Sequence, residues 1–406
     1  MTPEIPMNIE LSGYLRADGR KGIRNVVVIA YLVECAHHVA RAVAGPFGET
    51  NVHVIGFGGC YPNAYADRMM KALCTHPNVG AVLLVSLGCE SFDRASVEAS
   101  VAASGRPVKT LVIQREGGTR ATIDAGRKWV AATLADLEST ERIPMSVSEL
   151  TVGTVCGGSD ATSGLTANPG IGRAFDTLVA RGGTAIFEET GELIGCEDIM
   201  ASRAATPELA EVLRESVEKA ARYYTTLGHG SFAPGNAEGG LTTQEEKSMG
   251  AYSKSGDSLI SGLIRPGELP AVPGLHLLDV VPDGEVRFGF PNINDNAEIA
   301  ELIACGSHVI LFSTGRGSVV GSAISPVIKV CANPETYRHM SGDMDVDGGR
   351  LLEGHTTLDE LGSEIFNFTL EVANGRATAS EELGHQEFVL TYKSFEPSGP
   401  SCHPGA

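Results

Sequence analysis

Short apolar runs alternate with helix-like segments along the first 140 residues of this chain. The runs are rich in Val, Ile and Leu and lie at residues 25–30, 52–57, 81–87 and 108–113. Because polar residues do not alternate with the apolar ones, each run indicates a strand that is buried on both faces. Helical patterns follow these runs at residues 34–43, 64–74, 94–103 and 119–137. This order predicts an α/β fold whose first domain is a doubly wound parallel sheet.

The second half of the chain repeats this alternation with wider spacing. Its predicted strands lie at residues 151–155, 184–188, 275–281, 308–313 and 327–331. Its predicted helices lie at residues 172–180, 207–227, 297–304 and 358–372, and a glycine- and threonine-rich loop is expected over 228–258. We therefore predict two α/β domains, at residues 1–140 and 150–375, separated by a polar stretch at 138–148. A C-terminal arm follows at residues 376–406, with a strand or extended segment over 387–392.

The chain carries a large excess of acidic residues. It has 50 Asp and Glu against 31 Lys and Arg, so the formal net charge is −19 over 406 residues. This charge argues against binding to nucleic acid or to an anionic membrane, because both would repel the protein. No apolar stretch approaches the ~20 residues of a membrane span, and the first residues lack the pattern of a signal peptide. We therefore expect a cytoplasmic protein, in which a local basic pocket would still admit a small anionic substrate.

A dense run of polar groups follows the predicted strand at 151–155. Cys156 comes first, then two glycines, Ser159 and Asp160, and further hydroxyl and amide side chains continue to Thr166 and Asn168. Glycines let backbone N–H groups approach a ligand closely, and the N-terminus of the following helix favours negative charge. An ordinary strand-to-helix turn with capping residues would explain Ser159 or Asp160 alone. The whole run favours a loop that binds a polar anion, with Ser159, Thr166 and Asn168 as candidate contacts.

Three cysteines next to glycines, Cys60, Cys89 and Cys156, follow three of the predicted strands. Ligands bind beyond the carboxyl ends of strands in doubly wound sheets. Thiolates are ligands of Fe²⁺ and of iron–sulfur clusters, so these residues are candidate metal ligands. The alternative is that each is a buried, inert thiol. An acidic stretch over residues 188–197 stays open between metal binding and simple solvation.

A glycine-rich block at residues 234–248 contains Asn236, Thr242, Thr243 and Lys247. Its glycines favour a loop that folds tightly against a ligand. Lys247 is a candidate general base, provided that burial lowers its pKa, or a partner for a substrate carboxylate. Thr242 and Thr243 precede two glutamates in a pattern typical of a capped helix. Such a helix leaves Lys247 either exposed or directed inward.

A further loop follows the strand predicted at 308–313 and places Arg316 between two glycines, close to Ser313 and Gly315. A guanidinium group there suits bidentate binding of a carboxylate, and the same loop is compatible with a phosphate. The sequence contains no Walker motif, and no Gly-x-Gly-x-x-Gly motif follows the opening strand. ATP and NAD are therefore weak candidates as ligands.

These blocks join others along the chain. The full set is Gly13-Tyr14 with Arg16, residues 18–25, His76-Pro77-Asn78, Gly88-Cys89-Glu90, residues 156–169, residues 235–248 and residues 313–317. Together they resemble the altronate/galactarate dehydratase family, which also includes the large subunit of sulfolactate sulfo-lyase. The resemblance covers residues 13 to 375.

The resemblance implies a lyase. Its leading form removes water from a polyhydroxy sugar acid to give a 2-keto-3-deoxy acid. It would use a divalent metal, with Fe²⁺ favoured over Mn²⁺ or Mg²⁺, and an iron–sulfur cluster is the alternative cofactor. A second form eliminates sulfite from 3-sulfolactate. The alternative of a different class is a non-catalytic subunit that binds sugar acids.

Elimination next to a carboxylate needs a base, help for the leaving group and stabilisation of negative charge. Under this resemblance Lys247 is the candidate base, Asp160 a candidate acid or hydroxyl-binding group, and Arg316 a candidate for holding the carboxylate. The resemblance further implies a homo- or hetero-oligomer. It also implies a separate small subunit in place of a domain that many members carry ahead of this region.

Overall fold

The computed structural model describes residues 10–48, 51–228, 233–284, 294–390 and 393. Its strands are β1 (Leu11–Leu15), β2 (Lys21–Gly22), β3 (Val26–Tyr31), β4 (Val52–Gly56), β5 (Val79–Ser86), β6 (Val108–Val112), β7 (Arg142–Met145), β8 (Thr151–Cys156), β9 (Thr184–Phe187), β10 (Ile260–Ile264), β11 (Gly274–Leu278), β12 (Val309–Thr314), β13 (Val327–Cys331) and β14 (Val346–Asp347). Its helices are α1 (Glu34–Ala44), α2 (Ala64–Cys74), α3 (Arg94–Ala103), α4 (Ile113–Glu116), α5 (Thr119–Glu138), α6 (Ala167–Ala180), α7 (Glu197–Ala201), α8 (Pro207–Leu227), α9 (Pro234–Glu238), α10 (Gln244–Tyr252), α11 (Asp295–Ala304), α12 (Pro334–His339), α13 (Leu358–Ala373) and α14 (Ala379–Glu382). Among the described helices, none combines the length and the apolar character needed to cross a bilayer.

Strands β3 to β6 form the first parallel sheet, in the order β4-β3-β5-β6. The side chains of β3 alternate between the two faces of this sheet. Val27 and Ile29 pack with α1 and α5, whereas Val26 and Val28 pack with α2 and α3. Because β4 and β5 lie on opposite sides of β3, the chain winds in both directions from this strand. The predicted doubly wound sheet is confirmed.

The second large sheet is also parallel and has the order β10-β11-β9-β8-β12-β13-β14. Val152 and Leu311 face α6 and α13, whereas Val155 and Phe312 face α11. Both faces are therefore covered by helices, as the continuous apolar runs predict, and the α/β fold is confirmed. From β8 the chain continues to β9 on one side, and β12 lies on the other.

One hydrophobic core joins the two large sheets. Val28 of the first sheet belongs to the same buried cluster as Phe312 of the second sheet and Leu302 of α11. The amide of Asn78, directly before β5, donates a hydrogen bond to the carbonyl oxygen of His308, directly before β12 (3.2 Å). This bond holds the amino ends of the two sheets together.

Two connecting segments contain more regular structure than the sequence analysis predicts. The polar stretch at 138–148 contains β7, which pairs with β1 in a small antiparallel sheet of order β2-β1-β7. The loop expected over 228–258 contains α9 and α10, and Thr243 caps α10 by accepting a hydrogen bond from the Glu246 N–H (3.1 Å). Strands β10 and β14 are also additional. The division into two domains stays a prediction.

The described part of the C-terminal arm, residues 376–390 and 393, is docked on the rest of the chain. Arg24 of the first half binds the carboxylate of Glu381 through two hydrogen bonds of 2.7 and 2.9 Å. Leu390 is buried in the core that joins the two sheets. Residues 385–390 contain no strand, and the last two residues of the segment predicted at 387–392 lie outside the described residues.

Candidate active site

The carboxyl end of β8 lies at the position where doubly wound sheets bind ligands. β8 ends at Cys156, which is paired in register with Ser313 of β12. On the other side, β9 ends at Phe187 and continues into Glu188 and Glu189. The loop after β8 leads toward β9 on one side, whereas the loop after β12 leads away on the other side. A crevice therefore opens between these loops at this edge of the sheet.

Cys156, Glu189 and Glu192 form a group that can hold a metal ion. The Cys156 Sγ lies 3.3 Å from Glu189 Oε2 and 3.4 Å from Glu192 Oε2, and the Cys156 N–H donates to Glu189 Oε1 at 2.7 Å. Glu189 adopts a left-handed backbone conformation (φ 75°). This conformation costs roughly 1 kcal/mol or more for a residue other than glycine and is typical of functional sites. The following turn, Thr190–Leu193, carries Glu192.

Two lysines pair with the carboxylates of this group. Lys254 forms an ion pair with Glu189, and the two side chains are 2% and 5% exposed. Lys247 Nζ lies 2.5 Å from Glu192 Oε1 and 3.3 Å from Asn236 Oδ1. Helix α10 carries Lys247 and the turn directly after it carries Lys254. The capped helix therefore directs Lys247 inward.

Burial and mutual charge shift the pKa values of this cluster. Burial, together with the neighbouring Glu192, raises the pKa of Glu189 to about 7. Burial and the two carboxylates raise the pKa of the Cys156 thiol well above its usual value. Burial acts to raise the pKa of Glu192 too, but Lys247 and Lys254 outweigh it, and this pKa is lowered.

Lys247 is an ammonium group in this arrangement. Burial acts to lower its pKa, but the attraction of Glu192 and Cys156 outweighs burial and raises the pKa. The condition that the sequence analysis attaches to a basic Lys247, a pKa lowered by burial, is therefore not met in this geometry. An ammonium group can bind an anion or donate a proton.

More acidic groups than lysines surround the metal-binding group. Helix α11 contributes Asp295, Glu298 and Glu301, and Glu188 and Glu298 repel each other. Six carboxyl groups (Glu188, Glu189, Glu192, Asp295, Glu298, Glu301) face three lysines (Lys247, Lys254, Lys393), an excess of three negative charges if all ionise. Burial raises the pKa of Glu188 and of Glu298 well above the usual range, because buried charge without a partner is costly. A bound cation would offset much of this excess.

A cavity of about 380 Å³ opens beside the group. Its polar wall includes Cys156, Ser159, Asn168, Glu192 and Lys247, and its apolar wall includes Leu165, Leu241 and Met249. The loop after β8 and helix α10 form the two sides and approach each other backbone to backbone at Gly164 and Gly250. The volume falls within the roughly 300–1,000 Å³ of small-molecule sites.

Ser159 and Asn236 connect the thiol to Lys247. Ser159 Oγ lies 3.3 Å from the Cys156 Sγ. Asn236 Nδ2 donates to the Ser159 carbonyl oxygen (3.1 Å), and Asn236 Oδ1 accepts from Lys247. Asn168 Nδ2 donates to a backbone carbonyl of α10 (2.9 Å), and its buried Oδ1 has no hydrogen-bond partner among the described residues. Four predicted residues, Cys156, Ser159, Asn168 and Lys247, thus share the polar wall of the cavity.

Asp160 also borders the cavity, but the protein binds both of its carboxylate oxygens. Oδ1 accepts from the Thr162 N–H (2.9 Å) and hydroxyl (2.5 Å), and Oδ2 accepts from Asn333 Nδ2 (3.1 Å). Gly315 lies directly against this carboxylate, where a side chain would overlap it. These contacts fix the shape of the loop after β8.

The other predicted substrate contacts have protein partners or lie in the sheet. Thr166 donates to a backbone carbonyl directly after β13 (2.9 Å), and Thr242 and Thr243 stabilise the start of α10. Ser313 is fully buried in β12. Arg316 donates to a backbone carbonyl of α9 at 2.5 Å and to a carboxylate of the same helix at 3.2 Å. Arg316 is not among the described residues that line the cavity.

Cys60 and Cys89 are exposed and follow β4 and β5 of the first sheet. In the part of the chain that the structure describes, neither joins a group of three metal-binding side chains. The structure therefore does not bring them to Cys156, which belongs to the second sheet. The partners of Cys156 are carboxylates instead, because Glu188 and Glu189 directly follow the neighbouring strand β9 and the next turn carries Glu192.

Sequence reasoning missed Lys254 entirely and left the acidic stretch at 188–197 open. The sequence signal for Glu189 is its position directly after a predicted strand, as Cys156 directly follows another. No local pattern identifies Lys254. Its ammonium group comes close to Glu189 only because α10 packs against the turn that follows β9.

Two family descriptions match this chain. "D-galactarate dehydratase/Altronate hydrolase, second domain" matches residues 13–138, and "D-galactarate/Altronate dehydratase, C-terminal" matches residues 147–395.

Three relatives share the family. The chain is 36% identical to the (2R)-sulfolactate sulfo-lyase subunit beta of Chromohalobacter salexigens, over 93% of this chain and 96% of that protein. It is 30% identical to the altronate dehydratase of Escherichia coli K12, over 94% of this chain and 77% of that protein. It is 29% identical to the galactarate dehydratase (L-threo-forming) of the same organism, over 93% and 76%. The chain therefore belongs to the altronate/galactarate dehydratase family, whose named relatives are lyases.

Proposed function

We propose that this chain is a lyase that removes water from a polyhydroxy sugar acid and yields a 2-keto-3-deoxy acid. The observation that carries the proposal is the buried group of Cys156, Glu189 and Glu192, which borders the same cavity as the Lys247 ammonium. A cation and an ammonium side by side suit an anionic substrate that develops further negative charge during elimination.

The donor set supports a divalent cation, with Fe²⁺ favoured over Mn²⁺ and Mg²⁺. One thiolate beside two carboxylates suits a borderline metal better than it suits Mg²⁺, which prefers oxygen ligands alone. Carboxyl groups outnumber lysines around the site, and this charge balance also favours a bound cation. A bound cation would polarise substrate oxygens and stabilise the developing charge. An iron–sulfur cluster is less well supported, because only Cys156 contributes a thiol to the group.

The residues of the cavity suggest a division of roles. As an ammonium group, Lys247 would bind the substrate anion and protonate the leaving hydroxyl, which departs as water. The neutral amine formed in this way would accept the proton from the carbon next to the carboxylate, which restores the ammonium group. Asn236 would orient it, since Asn236 Oδ1 accepts from Lys247 Nζ. Asp160 would hold the loop that carries Ser159, and Arg316 would act on the substrate carboxylate only if a ligand draws it from its bonds to α9.

The test is an anaerobic assay of 2-keto acid formation with Fe²⁺ or Mn²⁺, using altronate, galactarate and 3-sulfolactate. Keto acid from a sugar acid without sulfite would support the dehydratase. Lys247→Met should lower kcat about 10²- to 10⁴-fold, the usual worth of a proton-transfer group. Glu245→Gln, an exposed change on the same helix, is the control and should leave kcat unchanged. A normal kcat for Lys247→Met would exclude the role of Lys247.

A second candidate is elimination of sulfite from a sulfonated hydroxy acid. The identity of 36% to a sulfo-lyase subunit, over nearly its full length, specifically favours it. Release of sulfite and keto acid in equal amounts would establish this reaction. Because that relative is named as a subunit, the assay should be repeated with a co-expressed small subunit. Activity only with the small subunit present would indicate a hetero-oligomer. No activity with or without it would favour a sugar-acid-binding subunit.

A further inference from the structure

Helix α11 carries a row of three acidic side chains, two of them buried, that the proposed reaction does not use directly. Asp295, Glu298 and Glu301 are spaced by three residues, so they lie along one face of the helix. Glu298 and Glu301 are buried. A row of carboxylates inside a protein requires positive charge nearby.

The first residue of α11 reaches the active site. The carboxylate of Asp295 lies so close to Gly157 that any side chain at position 157 would overlap it. Gly157 directly follows Cys156, and Asp295 interacts electrostatically with Glu192, Lys247 and Lys254. The position of α11 along its axis therefore sets the wall behind the metal-binding group.

The other end of the row is held by the C-terminal arm. Lys393 Nζ lies 2.7 Å from Glu301 Oε2, and the two side chains are 1% and 0% exposed. The other oxygen of Glu301 accepts a hydrogen bond from the Tyr65 hydroxyl at 2.7 Å. Lys393 also acts on Glu298, one turn nearer to the active site, by lowering its pKa against the effect of burial. The arm thus supplies the counter-charge of the acidic face of α11.

We propose that Lys393 is a positioning residue: by pairing with Glu301 it holds α11 in the place that sets Asp295 against Gly157 and encloses Cys156. The proposal rests on the proposed function only in naming Cys156 as part of the active site. Removing Lys393 would leave the buried carboxylate of Glu301 without a counter-charge, bound only by the Tyr65 hydroxyl, a defect that is strongly destabilising locally. The helix end, or the carboxylate itself, would then have to move toward solvent.

The test follows the accessibility of the Cys156 thiol, which needs neither metal nor substrate. Lys393→Met, Lys393→Arg and wild type are treated with iodoacetamide in the presence of EDTA, and each cysteine is quantified by peptide mass spectrometry. We expect alkylation of Cys156 to be about tenfold faster in Lys393→Met, through local opening. Lys393→Arg, which keeps the charge, should restore most of the protection. Cys74, buried in α2, is the internal control for global unfolding and should stay protected.

A second control separates Lys393 from docking of the arm in general. Glu381→Gln weakens the arm at Arg24 and leaves α11 untouched, so Cys156 should stay protected in that variant. Equal rates for Cys156 in Lys393→Met and wild type, or parallel acceleration of Cys156 and Cys74, would overturn the proposal. Mn²⁺ titration of wild type is run alongside. Absence of Mn²⁺ binding there would count against the proposed cation site, while the alkylation rates still decide the role of Lys393.

Discussion

Replacing Lys254 with methionine tests whether the buried carboxylates depend on a counter-charge. Lys254 pairs with Glu189, and burial leaves neither group in contact with much water. Methionine keeps most of the side-chain length and removes only the charge. Glu189 would then keep Glu192 as a repulsive neighbour and lose its direct cationic partner.

The expected loss of stability is large and depends on pH. Removing one partner of a buried ion pair costs about 3–5 kcal/mol, out of a total stability of about 5–15 kcal/mol. The pKa of Glu189 is already raised to about 7 with Lys254 in place, and it would rise further without it. A carboxyl group with a raised pKa loses stability as pH rises, because the unfolded chain releases its proton first. The loss in free energy of unfolding that Lys254→Met causes should therefore be greater at pH 8 than at pH 6.

Guanidinium unfolding at both pH values, in EDTA, measures this deficit. Lys71→Met is the matched control, because Lys71 pairs with Asp67 on an exposed helix face with side chains 28% and 34% exposed. That pair should contribute only about 0.3–0.5 kcal/mol. Mn²⁺ at 100 times its Kd would raise the free energy of unfolding by about 2.7 kcal/mol if it binds only the folded protein. A deficit for Lys254→Met no larger than that of Lys71→Met would refute the reasoning.

Three further outcomes are expected. Cys156→Ser keeps the side-chain shape and removes the thiolate, so calorimetric titration should show Fe²⁺ affinity at least about tenfold weaker. Gly157→Ala would push a methyl group into the carboxylate of Asp295 and should cost about 1–3 kcal/mol in urea unfolding, whereas Gly45→Ala has open space around it and should cost little. Burial lowers the pKa of His308 to about 4. Since the unfolded chain binds that proton near pH 6.5, stability should fall by about 3 kcal/mol from pH 6.5 to 4, and less in His308→Gln.

Most strands of the two large sheets could be predicted because they are buried on two faces and leave a continuous apolar signature. Strand β10, which is buried only at its two ends, and the two-residue β14 leave no such signature. The helices α2, α3 and α8 have the predicted bounds for a related reason, since a capping residue precedes each of them. Strand β7 escaped prediction because its pairing with β1 connects residues far apart in the chain. Helix α10 lies in a glycine-rich segment, where intrinsic helix propensity is low and the cap at Thr243 and the packing of its buried face stabilise it.

The candidate site also has a part that the local sequence reveals and a part that only the fold brings together. The loop after Cys156 could be recognised, because polar residues and glycines directly after a buried strand have no structural use in a core. Its partners depend on strand order: Glu189 meets Cys156 only because β9 was added beside β8 on the side away from β12. The protonation of Lys247 likewise depends on Glu192, which lies on the turn that follows β9. A lysine that looks like a base in the sequence is therefore an ammonium in the fold, because the sign of its pKa shift is set by a neighbour 55 residues away in the chain.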